Sequence, residues 1–256
     1  MYYAWVPYVA VFLSALIAVS FLTPVARKIA WKLDAVDYPS ARRINKCPTP
    51  RMGGIAVFAA ISIAFFVEWL GTVFFGWPSV LSPAPHLEGI DYHMLAIAFL
   101  VIFLTGLIDD KFHLTPFKKL IGQVAAAVIA VAGGLVIGSV VNPFAHEIVS
   151  LGWFAYPITI IYLVAYVNIF NLIDGLDGLA SGIACIAGLT MFILSVLAAR
   201  GDAATLAIAL VGATLGFLPY NFHPASIFLG DSGSLLLGFT LGTISLLSVT
   251  RIAGLT

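Results

Sequence analysis

Two neighbouring carboxylates, Asp109 and Asp110, close one apolar segment of the chain and are followed directly by Lys111. Adjacent acids at the edge of an apolar segment are costly unless a cation or a proton is nearby. Successive helical residues point about 100° apart, so the two carboxylates can have different roles. One can contact a metal ion while the other accepts a proton or orients a lysine. A solvated helix end would also explain the pair.

A second motif places a polar residue at every third position, at Asn168, Asn171, Asp174 and Asp177. On a helix, Asn171 and Asp174 would be neighbours on one face. Their amide and carboxylate oxygens suit a hard cation, Mg²⁺ or alternatively Mn²⁺, and such groups also bond the donors of a nucleobase. The repeated Asp-Gly is similar to a calcium loop, but the ligand pattern of an EF-hand is missing. A purely structural glycine turn is the alternative interpretation.

A third motif sets Asp231 between glycines and hydroxyl residues, where a carboxylate can hold a metal ion close to phosphate oxygens. Phe228 offers an aromatic face on which a base could stack, although a packed core position is the commoner fate of phenylalanine. His223 could be an acid, a base or a donor, or simply a packed histidine. Ser232 and Ser234 would need a nearby base to act as nucleophiles, and no such triad is visible.

A basic loop, residues 37–54, carries cations that include Lys46 and Arg51. Three prolines stiffen this loop against helix formation. The pair Gly53 and Gly54 allows a tight backbone approach where the next apolar segment begins. The cations could bind a phosphate or attract anionic lipid headgroups, and the segment Pro50–Gly54 favours a shaped ligand loop.

The elements that position these motifs must lie in a membrane. Apolar residues make up 61% of the chain, charged residues 9%, and mean hydropathy is +1.07. Soluble domains have about 45–50% apolar and about 25% charged residues. The formal net charge is zero, and no nucleic-acid partner is expected. Cys47 and Cys185 match no metal or disulfide spacing, so we expect two packed thiols.

Eight apolar stretches predict an all-α, polytopic transmembrane helix bundle in a single domain, residues 1–256. They are Ala4–Leu22, Gly53–Phe75, Met94–Ile108, Leu120–Gly138, Trp153–Val167, Leu179–Ala199, Ala203–Leu218 and Leu235–Val249. The third and fifth are short, so we expect each helix to continue into the polar motif that follows. Ten Lys and Arg residues lie in the loops on one side and two on the other. The positive-inside rule then predicts an outside N-terminus and every dense polar motif at the cytoplasmic face.

In these motifs, and in their order along the chain, the sequence resembles the polyprenyl-phosphate N-acetylhexosamine-1-phosphate transferases (glycosyltransferase family 4). The similarity runs from Asp37 to Ser234 and favours the branch that uses UDP-GlcNAc over the branch that uses UDP-MurNAc-pentapeptide. It implies Mg²⁺-dependent transfer of GlcNAc-1-phosphate to undecaprenyl phosphate, with release of UMP. This would be the first membrane step of cell-wall, lipopolysaccharide or teichoic acid synthesis, in a multi-pass protein of the bacterial inner membrane. The resemblance is also compatible with a homodimer.

The resemblance also implies roles for single residues. Asn171 and Asp231 would bind Mg²⁺ with the pyrophosphate, Phe228 would stack on uracil, and Asp177 would contact the uridine. Lys111 and Lys119 would serve phosphate groups, Asp109 would sit near the attacking lipid phosphate, and Asp110 and Asp174 would organise the cluster. The remaining candidates for substrate binding are Lys46, Arg51, Gly53, Gly54, Asn168 and His223.

One departure from the family is the end of the sequence at Thr256, before the further spans and the His-rich loop that help to recognise the sugar. We therefore expect a partial sequence of the transferase domain. Two other classes of membrane protein are alternatives. An ion-coupled transporter predicts acids near mid-bilayer and often an internal repeat, and neither is visible. An intramembrane aspartyl protease needs one aspartate pair and gives no use for Asn168, Asn171 or the basic loop.

Overall fold

A computed structural model describes residues 5–39, 47–77, 89–141 and 147–249. The described part contains eight helices: α1 Val6–Lys32, α2 Gly53–Phe75, α3 Tyr92–Phe112, α4 Pro116–Ala132, α5 Ala155–Ile173, α6 Leu179–Leu197, α7 Gly201–Asn221 and α8 Gly230–Val249. Two short antiparallel pairs join them: β1 Val36–Asp37 with β2 Thr49–Pro50, and β3 Ser139–Val141 with β4 Ile148–Ser150. The predicted all-α class is confirmed.

Six of these helices are long and apolar enough to cross a membrane: α1, α2, α3, α5 with its preceding 3₁₀ turn Gly152–Phe154, α6 and α7. Helix α4 has only 17 residues. Large apolar side chains on the outer surface are widely exposed, for example Phe21, Ile186 and Leu197 at 75%, 71% and 78%. A contiguous apolar surface of this kind needs lipid as its solvent. The protein is therefore a multi-pass membrane protein.

Two of the predicted spans run on into polar motifs, as expected from their short apolar stretches. Helix α3 begins where the Asp91 carboxylate accepts the backbone N–H groups of His93 and Met94, at 2.8 and 3.3 Å. It ends at Phe112, so Asp109 and Asp110 lie in its last turn. Helix α5 similarly includes Asn168 and Asn171 and ends just before Asp174.

Helices α7 and α8 are the most buried elements; α1, α2, α3, α5 and α6 each pack against at least one of them, and α4 packs against α3 and α5. Helix α8 packs against α2, α3, α5, α6 and α7, whereas α7 packs against α1, α2, α6 and α8. Small residues make these contacts close: a Cβ on Gly212 of α7 would lie 2.5 Å from the Phe12 carbonyl oxygen of α1. Close backbone approach at small residues is a main source of helix association within a bilayer.

Helix α1 contains a proline, and helix α7 compensates for it. Pro24 has no N–H, so the carbonyl of Ser20, four residues earlier, loses its helical donor. The Tyr220 hydroxyl of α7 donates to that carbonyl oxygen at 3.0 Å. This bond ties the two helices together at the end of the bundle that carries the polar motifs.

Candidate active site

The centre of the polar cluster is the ammonium group of Lys119. Its Nζ lies 2.6 Å from Asp231 Oδ1, 2.9 Å from Asp109 Oδ2 and 3.0 Å from Asn171 Oδ1. The four residues come from α4, α8, α3 and α5. Lys119 stands in the first turns of α4, where a positive charge opposes the helix dipole, so the two carboxylates offset an unfavourable position. Four helices therefore converge on one cation.

Asn171 has contacts on both sides of its amide. Its oxygen accepts from Lys119, and its nitrogen donates to Asp231 Oδ1 and to Ser234 Oγ, the latter at 2.9 Å. From the sequence, the one role considered for Ser234 was that of a nucleophile, for which no nearby base was visible. Here its hydroxyl fixes the amide orientation that leaves the Asn171 oxygen facing the cation.

Asp110 is fully buried and, although it belongs to α3, caps the N-terminus of helix α8. Its carboxylate accepts the backbone N–H groups of Asp231 and Ser232 at 2.7 and 3.0 Å, and the Ser232 hydroxyl at 2.6 Å. The first N–H groups of a helix have no intrahelical partner and carry partial positive charge, so a carboxylate satisfies both needs. Asp110 thereby fixes the first turn of α8, on which Asp231 stands.

Asp109 faces a different way from its neighbour. One oxygen accepts the Leu114 N–H at 2.6 Å and the other pairs with Lys119. The first contact shapes the turn between α3 and α4, and the second sets the direction of the Lys119 side chain. The two adjacent carboxylates thus have separate partners, as the angle between neighbouring helical residues had suggested.

Asp174, at the end of α5, accepts no hydrogen bond from any residue that the structure describes. Burial, together with the nearby charges of Asp231 and Asp110, raises the pKa of Asp174 to about 7. A half-buried carboxylate without a donor, close to two other acids, is a group that a cation would stabilise.

Arg51 is turned towards the end of α3. Its guanidinium donates to the carbonyl oxygens of Asp109 and Asp110, both at 3.3 Å, and lies 3.4 Å from the Asp37 carboxylate. The last carbonyls of a helix lack intrahelical donors, so Arg51 caps α3. The structure thus gives this predicted substrate-binding residue several contacts within the protein.

Gly53 and Gly54 bring α2 against the start of α8. Their N–H groups donate to the carbonyls of Phe228 and Leu229 at 3.0 and 2.9 Å. A Cβ on Gly54 would lie 2.2 Å from the Gly233 backbone nitrogen. The close approach predicted for this pair occurs between two helices. The half-buried Phe228 is held by the same contact, because its own N–H donates to the Pro50 carbonyl at 2.8 Å.

Asn168 pairs with Gln123, a residue that the sequence interpretation had missed. The Asn168 amide nitrogen donates to the Gln123 oxygen at 2.7 Å, and Gln123 is buried. One signal could have identified it: Gln123 is a polar residue in an apolar helix, four positions after Lys119 and hence on the same face. The pair links α4 to α5 next to the cluster.

Asp177 and His223 form a separate contact between two loops. His223 Nδ1 lies 2.9 Å from Asp177 Oδ2, which also accepts the Ala225 N–H at 3.1 Å. His223 is largely exposed. Lys111, in the last turn of α3, reaches the end of α1, where its Nζ donates to the Leu33 carbonyl oxygen. Lys46 lies outside the described residues.

Comparison with known proteins assigns the chain to a family. The model of glycosyl transferase family 4 matches residues 92–249, which include α3 to α8 and all members of the Lys119 cluster. The chain belongs to glycosyl transferase family 4. The resemblance found in the sequence motifs is thereby confirmed at the level of the family.

Several curated relatives in glycosyl transferase family 4 are similar along most of this chain. A probable undecaprenyl-phosphate N-acetylglucosaminyl 1-phosphate transferase of Bacillus subtilis is 37% identical over 95% of the chain and 63% of its own length. A decaprenyl-phosphate N-acetylglucosaminephosphotransferase of Mycobacterium tuberculosis is 37% identical over 91% of the chain and 58% of its own length. A phospho-N-acetylmuramoyl-pentapeptide-transferase of Bacillus velezensis is 31% identical over 94% and 74%. The chain thus spans less than two thirds of the first two relatives.

The cluster of this family member offers oxygen ligands of the type that Mg²⁺ prefers. Among the described residues, no three His, Cys, Asp or Glu side chains come together to hold a metal ion alone. Mg²⁺ is commonly held by one or two carboxylates, with waters and substrate phosphates completing its coordination. Asp231, Asn171 and the unpartnered Asp174 supply such a partial set, so the residues fit a metal that arrives with phosphate.

Proposed function

We propose that the protein transfers N-acetylglucosamine-1-phosphate from UDP-GlcNAc to undecaprenyl phosphate and releases UMP. The reaction would depend on Mg²⁺ and begin the membrane stage of cell-envelope polysaccharide synthesis. The observation that carries the proposal is the convergence of Asp109, Asp231 and Asn171 on Lys119 at one end of an apolar bundle. Membership of glycosyl transferase family 4 and the names of the relatives support the same reaction class.

The proposed chemistry joins two anions. A non-bridging oxygen of the lipid phosphate bonds to the β-phosphorus of UDP-GlcNAc, and the bond from that phosphorus to the oxygen shared with the α-phosphate breaks. UMP leaves with the shared oxygen. Lys119 contributes positive charge where both phosphates must meet, and bound Mg²⁺ would add further charge stabilisation there.

Asp109 has a more open role in this reaction. A phosphate is already ionised at neutral pH, so the attack does not require a strong base. The carboxylate of Asp109 either accepts a proton or acts electrostatically. Its bonds to the Leu114 N–H and to Lys119 favour the electrostatic role, because both of its oxygens are already occupied by these contacts.

The sugar is proposed from the pattern of similarity. Two relatives named for N-acetylglucosamine transfer are 37% identical to the chain, whereas relatives named for the muramoyl pentapeptide are 31–34% identical. UDP-MurNAc-pentapeptide is the alternative donor. The excess of Lys and Arg on the side of the cluster supports a cytoplasmic active site, where nucleotide sugars are available.

The test is release of UMP from purified protein given undecaprenyl phosphate and either nucleotide sugar, with and without Mg²⁺. We expect release with UDP-GlcNAc alone, dependent on Mg²⁺ and lost in Asp231→Asn. Asp91→Asn is the matched control, because it makes the same chemical change far from the cluster. Asp91 caps the N-terminus of α3, whereas the cluster lies at the C-terminal end of that helix, and asparagine keeps a capping oxygen. Release with UDP-MurNAc-pentapeptide alone would reassign the sugar. Release that continues without Mg²⁺ or in Asp231→Asn would contradict the proposed site.

A further inference from the structure

A groove of about 340 Å³ opens on the surface of the bundle between α1 and α7. It is lined by Pro24, Arg27, Lys28, Trp31 and Tyr220. Arg27, Lys28 and Trp31 follow Pro24 by three, four and seven positions, so these four residues of α1 share one face of the helix. The Lys119 cluster is built instead from α3, α4, α5 and α8, so the groove is a separate feature.

One hydrogen bond holds the two helices that line the groove together. The bond from the Tyr220 hydroxyl to the Ser20 carbonyl exists because Pro24 leaves that carbonyl without its helical donor. The same bond places the Tyr220 ring beside the face of α1 that carries the two cations. The lining of the groove therefore combines two aromatic residues and a proline with two cations.

Arg27 and Lys28 are exposed, and neither has an ion pair or hydrogen-bonded side-chain partner within the described part of the chain. Trp31, one helical turn further on, is 45% exposed. In the opposite direction along α1 the exposed residues are apolar: Leu13, Ile17 and Phe21 are 46%, 50% and 75% exposed. The surface thus changes from apolar to cationic along one helix, with an aromatic ring on the cationic side.

We propose that this groove binds the phosphate headgroup of an anionic membrane phospholipid. The acyl chains lie along the exposed apolar residues of α1, and the phosphate reaches Arg27 and Lys28. Tryptophan is enriched at the level of lipid headgroups, which is where Trp31 would then be. Cations at that level attract anionic lipid, and a groove beside them selects one bound molecule over a diffuse layer. This binding site is distinct from the proposed catalytic function and does not depend on it.

The test is native mass spectrometry of the purified chain, titrated in turn with phosphatidylglycerol, phosphatidylcholine, undecaprenyl phosphate and inorganic phosphate. We expect one tightly bound phosphatidylglycerol. In Arg27→Gln/Lys28→Gln its affinity falls by about 30-fold, because each cation near the surface contributes about 1 kcal/mol. Arg27→Lys/Lys28→Arg keeps both charges and retains binding. Lys32→Gln/Lys118→Gln removes two exposed cations outside the groove and also retains binding.

Four results would overturn the proposal. Phosphatidylcholine binding as tightly as phosphatidylglycerol would remove the role of charge, and equal losses in both Gln double variants would mean a diffuse surface effect. Undecaprenyl phosphate displacing the bound phospholipid would assign the groove to the lipid substrate. Inorganic phosphate binding as tightly as phosphatidylglycerol would leave no role for the acyl chains.

Thermal unfolding checks that each variant is folded. If the double variant is not, Arg27→Gln and Lys28→Gln are each expected to weaken binding about fivefold.

Discussion

At the scale of single residues, the polar cluster is notable for the division of labour among its acids. Asp110 caps a helix, Asp109 positions a lysine, and Asp174 accepts no hydrogen bond from the described residues. All three are short acidic side chains near one another in space. Only their contacts distinguish a carboxylate that supports the fold from one that is free to meet a cation.

Lys119 is the residue whose loss should matter most for activity. In Lys119→Gln, Asp109 and Asp231 lose the charge that they share, and the reacting phosphates lose a stabilising cation. We expect the rate of UMP release to fall by about 10²–10³, the range seen when one stabilising group is removed from an active site. Lys118→Gln is the matched control, since Lys118 is adjacent and exposed. Equal effects of the two changes would argue against the role of Lys119.

At the scale of the element, helix α8 depends on a cap from another helix. Asp110→Ala removes acceptors from two backbone N–H groups and from the Ser232 hydroxyl. A lost cap costs about 0.5–2 kcal/mol, so we expect a lower Tm in detergent. Asp110→Asn keeps one side-chain acceptor and should lose less. A Tm unchanged in Asp110→Ala would show that the cap contributes nothing to stability.

The bond that compensates for the proline of helix α1 should contribute to stability. Tyr220→Phe leaves the Ser20 carbonyl without its donor and should destabilise the protein by about 1–3 kcal/mol. In Pro24→Ala the helix regains the missing N–H, so Tyr220→Phe should have a smaller effect in that background. A double-mutant cycle on the free energy of unfolding measures this coupling. Additive effects would contradict the proposed compensation. Tyr156→Phe, at a half-exposed tyrosine of α5, is a neutral control.

At the scale of the whole molecule, the bundle closes through close contacts around α8. Gly54→Ala would place a Cβ 2.2 Å from the Gly233 backbone nitrogen, so α2 and α8 must move apart. Because α8 carries Asp231 of the cluster, we expect losses in both Tm and UMP release. Gly182→Ala in α6 meets nothing within 4 Å and should be neutral or stabilising by up to about 1 kcal/mol. A larger loss of Tm in Gly182→Ala than in Gly54→Ala would refute this account of the packing.

The sequence by itself determined the class of the protein and the positions of its elements. Apolar composition and the length of apolar stretches are local properties, so the eight predicted stretches correspond to the helices α1 to α8, six of which are long and apolar enough to cross a membrane. The continuation of α3 and α5 into their polar motifs also followed from local length. The family resemblance came from motif order along the chain, which requires no coordinates.

Only the tertiary structure decided which polar groups meet. Asp110 caps a helix that starts about 120 residues later, and Arg51 reaches carbonyls 58 and 59 residues away. The buried Gln123 and the positioning role of Ser234 likewise appear only when α4, α5 and α8 are packed together. Spacing along one helix shows which residues share a face, but not which helix that face will contact. That choice depends on the fit of small residues between helices, which pair residues remote in sequence.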